Sequence, residues 1–160
     1  MNATKVIHPF APIFDQNSKI LILGSMPSPK SREAGMYYSH PKNRFWKILS
    51  IVLNDSFPVT NDDKRAFLLK HNIAVWDVIE SCEIVGASDS SIKNPRVNDF
   101  NSILDNSKIS AVFTLGKTAT KIYRSMTGRD SIYLPSTSPA NCAMKDEELI
   151  KSFEIILKYL

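Results

Sequence analysis

The sequence predicts an α/β fold, a three-layer α/β/α sandwich around a central, mainly parallel, four-stranded sheet in a single domain spanning 1–160. Three observations lead there. Short continuous apolar runs, the pattern of strands buried on both faces, recur along the chain. Segments with apolar residues at helical spacing lie between them, and strands alternating with helices build parallel sheets covered on both sides. A length of 160 residues with 43% hydrophobic content suits one core and leaves no long linker to a second.

The elements follow in order. KILILG at 19–24 is an apolar run that ends on Gly24, as a buried strand entering a turn should. Pro41 suits a first helical turn, and Phe45, Ile48, Leu49 and Val52 keep helical spacing behind it, so a helix is predicted over about 41–53. NDDKRAFLLKHN at 61–72 opens on Asn and Asp and closes on His and Asn, which reads as a short helix before the strand IAVWDVI at 73–79. A loop rich in Ser, Asp and Gly follows near 86–91, then a helix at 98–105 and a third strand, ISAVFTLG, around 110–116. Ala119, Ile122, Tyr123 and Met126 stripe the next helix, and SIYLPS at 131–136 supplies the fourth strand. Leu149, Ile150, Phe153, Ile156 and Leu157 mark a final helix.

Composition narrows the function classes. Cys82 and Cys142 form neither a CxxC nor a Cys/His metal pattern, so no disulfide framework, metal site or other cofactor is expected, and a reducing, cytoplasmic setting is. No run approaches the ~20 apolar residues that span a bilayer, and the start, MNATKVIHPF, lacks the apolar core of a signal peptide. The net charge is +4. Lys30, Arg32, Lys42, Arg44 and Lys47 stand against Glu33 alone within 28–47, and Lys117, Lys121, Arg124 and Arg129 form a second basic block. Charge so clustered fits a nucleic-acid footprint, although an unevenly charged solvated surface would look the same.

In open α/β sheets, sites lie beyond the carboxyl ends of the strands, so the segments after each strand are the ones to read. GSMPS at 24–28 lacks the GxxxxGK[ST] and GxGxxG phosphate patterns; it offers Gly24 for a sharp turn and Pro27 to hold the chain extended. LPSTSPAN at 134–141 is a stiff loop of two prolines and small polar residues. Taken alone, each reads as turn chemistry.

Together with GMYYSHPKNRFW at 35–46, these loops resemble the uracil-DNA glycosylase superfamily over nearly the whole chain. Mismatch-specific uracil and thymine glycosylases have a GxNPG loop after the first strand, then an aromatic residue, then a His-Pro-x-Asn-Arg-Phe-Trp run. This chain has GSMPS, Tyr37-Tyr38 and HPKNRFW at 40–46. With VWDVIESC at 75–82 and LPSTSPAN, the set is most similar to the hypoxanthine-DNA (deoxyinosine) glycosylases.

That resemblance implies a monofunctional hydrolase of N-glycosidic bonds in DNA containing a deaminated base, hypoxanthine and/or uracil, acting as a monomer without cofactor. It also implies roles. Met26 stands where related enzymes have a water-holding Asn or Asp, so the water falls to Asn43 of the HPKNRFW run. Leu115 precedes Gly116 where relatives carry an Asn. The loop Ser136, Thr137, Ser138, Pro139, Ala140 and Asn141 matches the segment that enters the minor groove behind a flipped base.

The chemistry suits these residue types. A flipped base needs a stacking pocket, for which Tyr37, Tyr38 and Trp76 are candidate walls, and fixed donors for the charge it carries away, such as the Ser25 and Met26 amides beside Gly24 and Pro27. An oxocarbenium-like centre needs an oriented water more than a strong base, which a neutral Asn43 can supply. Asp77 is the alternative water activator, or a cap for the segment after it. Lys42 and Arg44 are candidate phosphate contacts or solvated charges. His40 reads as part of a turn, and His8 and His71 carry no pattern. Two other classes stay open: a module that binds damaged DNA without cleaving it, and an unrelated α/β enzyme of small substrates, against which the missing nucleophile elbow counts.

Overall fold

The computed structural model describes residues 2–160. Its centre is a four-stranded sheet built from β2 (Ile20–Gly24), β3 (Ile73–Asp77), β6 (Ala111–Leu115) and β7 (Ile132–Leu134) in the order β3-β2-β6-β7, every pair parallel. All five residues of β2 are buried, because helices cover both faces of the sheet and β2 has a strand on each side. This is the expected α/β/α architecture. The edge beyond β3 is closed by Ile13, which exchanges two backbone hydrogen bonds of 2.9 Å with Val75 and so leaves less of that edge unpaired.

The helices are α1 (Pro29–Ala34), α2 (Phe45–Val52), α3 (Asn61–Lys70), α4 (Asn101–Leu104), α5 (Gly116–Thr127) and α6 (Asp146–Phe153). The α2 stripe of Phe45, Trp46, Ile48 and Leu49 is buried, and α2 packs on α6. Thr60 caps α3: its hydroxyl accepts from Asp63 N while the Asp63 carboxylate accepts from Thr60 N, a reciprocal box that fixes the start of the helix.

Several boundaries differ from expectation. The helix expected over 41–53 begins at Phe45, because residues 40–43 form a turn closed by a 2.8 Å bond from Asn43 N to His40 O. The helix expected at 98–105 shrinks to α4, and the last one ends at Phe153 and continues as a 3-10 turn from Glu154 to Tyr159.

A second sheet was not foreseen. The run expected as one strand at 73–79 breaks at Val78, and the chain continues as β4 (Ile79–Ile84), which lies between β1 (Thr4–Ile7) and β5 (Lys93–Val97) in an antiparallel sheet. TKVI and KNPRV are short and largely exposed, so neither presents the apolar signal of a core strand. This sheet begins where β3 ends, and that junction positions the site.

Candidate active site

Gly24 and Asp77 are paired neighbours at the carboxyl ends of β2 and β3. Past them the two segments stay bonded for one more step: Val78 N donates to Gly24 O at 2.8 Å and Ile79 N to Ser25 O at 3.1 Å. Here lies a cleft of about 780 Å³, walled by the turn after β2, the 86–91 loop, the start of α5 and the 136–141 loop, with Tyr38, Asn43 and Asp77 among its lining residues. Its place obeys the rule that α/β sites lie off the strand carboxyl ends.

Gly24 is required by close approach. A Cβ there would lie 2.7 Å from Asp77 Oδ1 and 3.0 Å from Tyr38 Oη. Tyr38 takes a left-handed backbone conformation, φ 55°, uncommon for a residue with a side chain, and its ring stacks on Phe45 with centroids 4.0 Å apart. Its hydroxyl is buried without a hydrogen-bond partner among the described residues. Burial first, then the Asp77 carboxylate, pushes the Tyr38 phenol well above its ordinary range, so it stays neutral and keeps a proton to donate. Tyr37 also borders the cleft, but it is nearly fully buried and donates to Ala11 O at 3.1 Å.

Asn43 sits just ahead of α2. Its Oδ1 accepts from Phe45 N and from the Thr137 hydroxyl, each at 2.9 Å. A backbone amide can only donate, so the side-chain orientation is decided, and Nδ2 is left with no acceptor among the described residues. Asn43 therefore presents two N–H donors.

Asp77 is 2% exposed. Its Oδ2 is 2.8 Å from Nε2 of His8, a residue that carries no motif in the sequence. Their separation of 69 positions, bridged only by the second sheet, left nothing local to find.

The remaining expectations divide. Ser25, Met26 and Pro27 line the cleft with Gly24, and Ser25 Oγ donates to Asp89 Oδ1 at 2.8 Å. Loss of hydration pushes the Asp89 carboxyl above the ordinary range; the Ser25 bond opposes this and the Asp77 charge adds to it. Trp76 is not a pocket wall. Successive strand residues face opposite sides, so with Asp77 facing the cleft, Trp76 turns away and meets Phe100 edge-on at 5.8 Å.

The basic stretch is smaller than its sequence suggests. Arg32 donates to Pro27 O at 2.8 Å and Lys47 pairs with Asp146 at 2.6 Å. Arg44 is turned inward, a correction to the phosphate contact expected of it: its guanidinium donates to Met144 O (2.6 Å), Asn141 O (3.0 Å) and Asp146 Oδ1 (3.2 Å), tying down the segment after β7. Lys42 is exposed and makes no ion pair among the described residues. Arg44→Ala should cost about 2 kcal/mol of stability and leave unchanged the salt dependence of the DNA binding that the sequence leads one to expect. Lys42→Ala should leave stability alone and reduce that slope by about 1 if it meets a phosphate. Melting curves and DNA titrations across salt concentrations check both.

The 136–141 loop is stiffened from within. Ser136 Oγ accepts from Ser138 N, Ser138 Oγ from Ala140 N, and Asn141 Nδ2 donates to Ser136 O at 2.9 Å. Thr137 is 1% exposed and bound to Asn43, so it supports the site rather than meeting DNA. Asn141 is likewise committed internally, its Nδ2 donating to Ser136 O and Met144 Sδ; Ser138, Pro139 and Asn141 all border the cleft, and Ser138 keeps its hydroxyl proton.

The family model of the uracil DNA glycosylase superfamily matches residues 11–160. The chain belongs to the uracil DNA glycosylase superfamily. Within reach of this superfamily member are two proteins named hypoxanthine DNA glycosylase. That of Methanosarcina acetivorans is 34% identical over 137 residues, 82% of this chain and 86% of its own. That of Methanosarcina barkeri is 37% identical over 97 residues, 60% of this chain and 61% of its own. The solution NMR structure of a candidate uracil DNA glycosylase from Methanosarcina acetivorans superimposes with a TM-score of 0.78 at 27% identity, covering 96% of this chain and 99% of the other. Among the described residues, no helix is long and apolar enough to cross a membrane.

Proposed function

We propose that this superfamily member excises a deaminated base, hypoxanthine and/or uracil, from DNA by hydrolysing its N-glycosidic bond and leaving an abasic site. The observation that carries the reading is Asn43, locked by Phe45 N and Thr137 Oγ1 so that its amide donors are left for the cleft. The names of the two Methanosarcina relatives favour hypoxanthine.

Each part of the cleft then has a task. The flipped base enters beside Tyr38, where unstacking costs a few kcal/mol that the pocket must return. The C1′–N bond breaks with its electron pair passing to the base, and the Ser25 and Met26 amides border the place where that charge collects. A water held by Asn43 Nδ2 forms the new bond to C1′ with its oxygen. It gives up one proton, the base takes one up, and the products are the abasic sugar and the free base. Asp77, whose Oδ1 lies close to Gly24, is a carboxylate of the cleft lining that can receive that proton.

A panel of oligonucleotides, each carrying one hypoxanthine, uracil or xanthine, tests this when scored for alkali-labile sites under single-turnover conditions. Cleavage at hypoxanthine or uracil is the expected result. Tight binding without any cleavage would instead support a damage-binding module, the reading that Met26 in place of a carboxamide or carboxylate favours.

The 136–141 loop gives a separable prediction. If it fills the gap behind a flipped base, Ser138→Gly with Pro139→Gly should slow cleavage of paired duplex about tenfold more than cleavage of single strands, because only the duplex imposes the unstacking cost. Equal losses on the two substrates would restrict the loop to supporting Asn43.

A further inference from the structure

The superfamily match begins at residue 11, yet a side chain before it bonds Asp77, a residue that lines the cleft. β1 pairs with β4, the strand that continues directly from β3, and His8 N donates to Glu80 O at 2.7 Å. That pairing carries His8 to Asp77. Both side chains are 3% exposed, and Nε2 stands 2.8 Å from Oδ2. A buried carboxylate without a partner is costly, so this contact decides whether Asp77 can remain where it is.

We infer that His8 is a positioning residue for the cleft: it fixes Asp77 so that Oδ2 is held and Oδ1 faces the bound base and water beside Gly24. The inference rests on the glycosylase reading. Three details carry it. His8 Nδ1 lies 3.2 Å from Phe10 N and 3.0 Å from Phe10 O, so its second nitrogen can accept in one protonation state and donate in the other. The bond from Nε2 to Asp77 survives either way. Tyr37 and Phe10 pack against the imidazole at 5.9 and 5.7 Å and keep the ring from turning. Asp77 Oδ1 and the unpartnered Tyr38 hydroxyl both close in on Gly24 at the end of β2, an acceptor and a donor brought to one place on the cleft lining.

The test is a double-mutant cycle on the whole chain, with single-turnover cleavage rates and, separately, affinity for an oligonucleotide carrying 2′-fluoro-deoxyinosine, which resists cleavage. His8→Ala should slow cleavage about tenfold to a hundredfold and change affinity by less than about threefold. His8→Gln, whose amide nitrogen reaches the place of Nε2, should recover most of the rate. Asp77→Asn should leave little for His8→Ala to remove, so the double variant should match Asp77→Asn alone. If His8→Ala does not fold, His8→Met against His8→Gln makes the same comparison with volume kept, and the Gln variant should be the faster. Losses that multiply in the double variant, a His8→Gln enzyme as slow as His8→Ala or His8→Met, or a wild-type rate without the imidazole would each overturn the inference. A wild-type protein that cleaves no member of the panel overturns the glycosylase reading and this one with it; normal wild-type cleavage with an inert His8 overturns this one alone.

Discussion

Asn43→Ala should lower the single-turnover cleavage rate by about 10²–10³-fold, the range seen when a single oriented donor is removed from a reacting centre. The loss should fall on the rate and not on DNA affinity, since a group that places the attacking water acts mainly in the transition state. The structure adds a second expectation. Asn43 Oδ1 also receives Phe45 N and the Thr137 hydroxyl, so the alanine variant leaves two donors inside the protein without a partner. Stability should drop by about 1–2 kcal/mol. Asn43→Asp separates the effects: its carboxylate still accepts both bonds and keeps the fold, but it offers no N–H to the water. A near-normal rate in the alanine variant would move the water to Asp77, whereas one in the aspartate variant alone would mean that a carboxylate at this place holds the water as well.

Gly24→Ala should be nearly as damaging, although it adds only a methyl group. Gly24 lies in a regular strand, so alanine meets no backbone strain; the cost comes from Asp77 Oδ1 at 2.7 Å and Tyr38 Oη at 3.0 Å from the new carbon. Neither neighbour yields freely. Asp77 is held by His8, and Tyr38 is stacked on Phe45, itself fully buried. One of those contacts must break or the strand must shift, at about 1–3 kcal/mol. A displacement near 1 Å at the reacting groups costs about 10²-fold in rate. Thermal melting and single-turnover cleavage measure the two losses, and a variant with the wild-type rate would show that the cleft floor has slack.

Much of the site was legible because its residues are close in sequence. HPKNRFW brings Asn43 next to Phe45, and the same α2 start that buries Phe45 sets the Asn43 side chain. GSMPS and LPSTSPAN were legible as the mouths of strands. Trp76 was misplaced because β3 is apolar throughout and buried at every position; without alternation, the sequence does not say which residue faces which side. Arg44 was misjudged for a different reason. Its partners, Asn141, Met144 and Asp146, lie about a hundred residues away, and a guanidinium committed to distant carbonyls looks in sequence like one free to meet phosphate.

The sequence by itself determined the parallel four-stranded sheet, its covering helices and the motifs at the strand ends, because burial on both faces imposes continuous apolar runs and helical faces impose their own period. Only the tertiary structure decided the second sheet, the inward turn of Arg44 and the meeting of His8 with Asp77. β1 and β5 are short and largely exposed, so their pairing is specified by neighbours and not by their own composition. His8 reaches Asp77 because β1 pairs with β4 where the chain leaves β3, and a contact made through two backbone pairings leaves no local pattern.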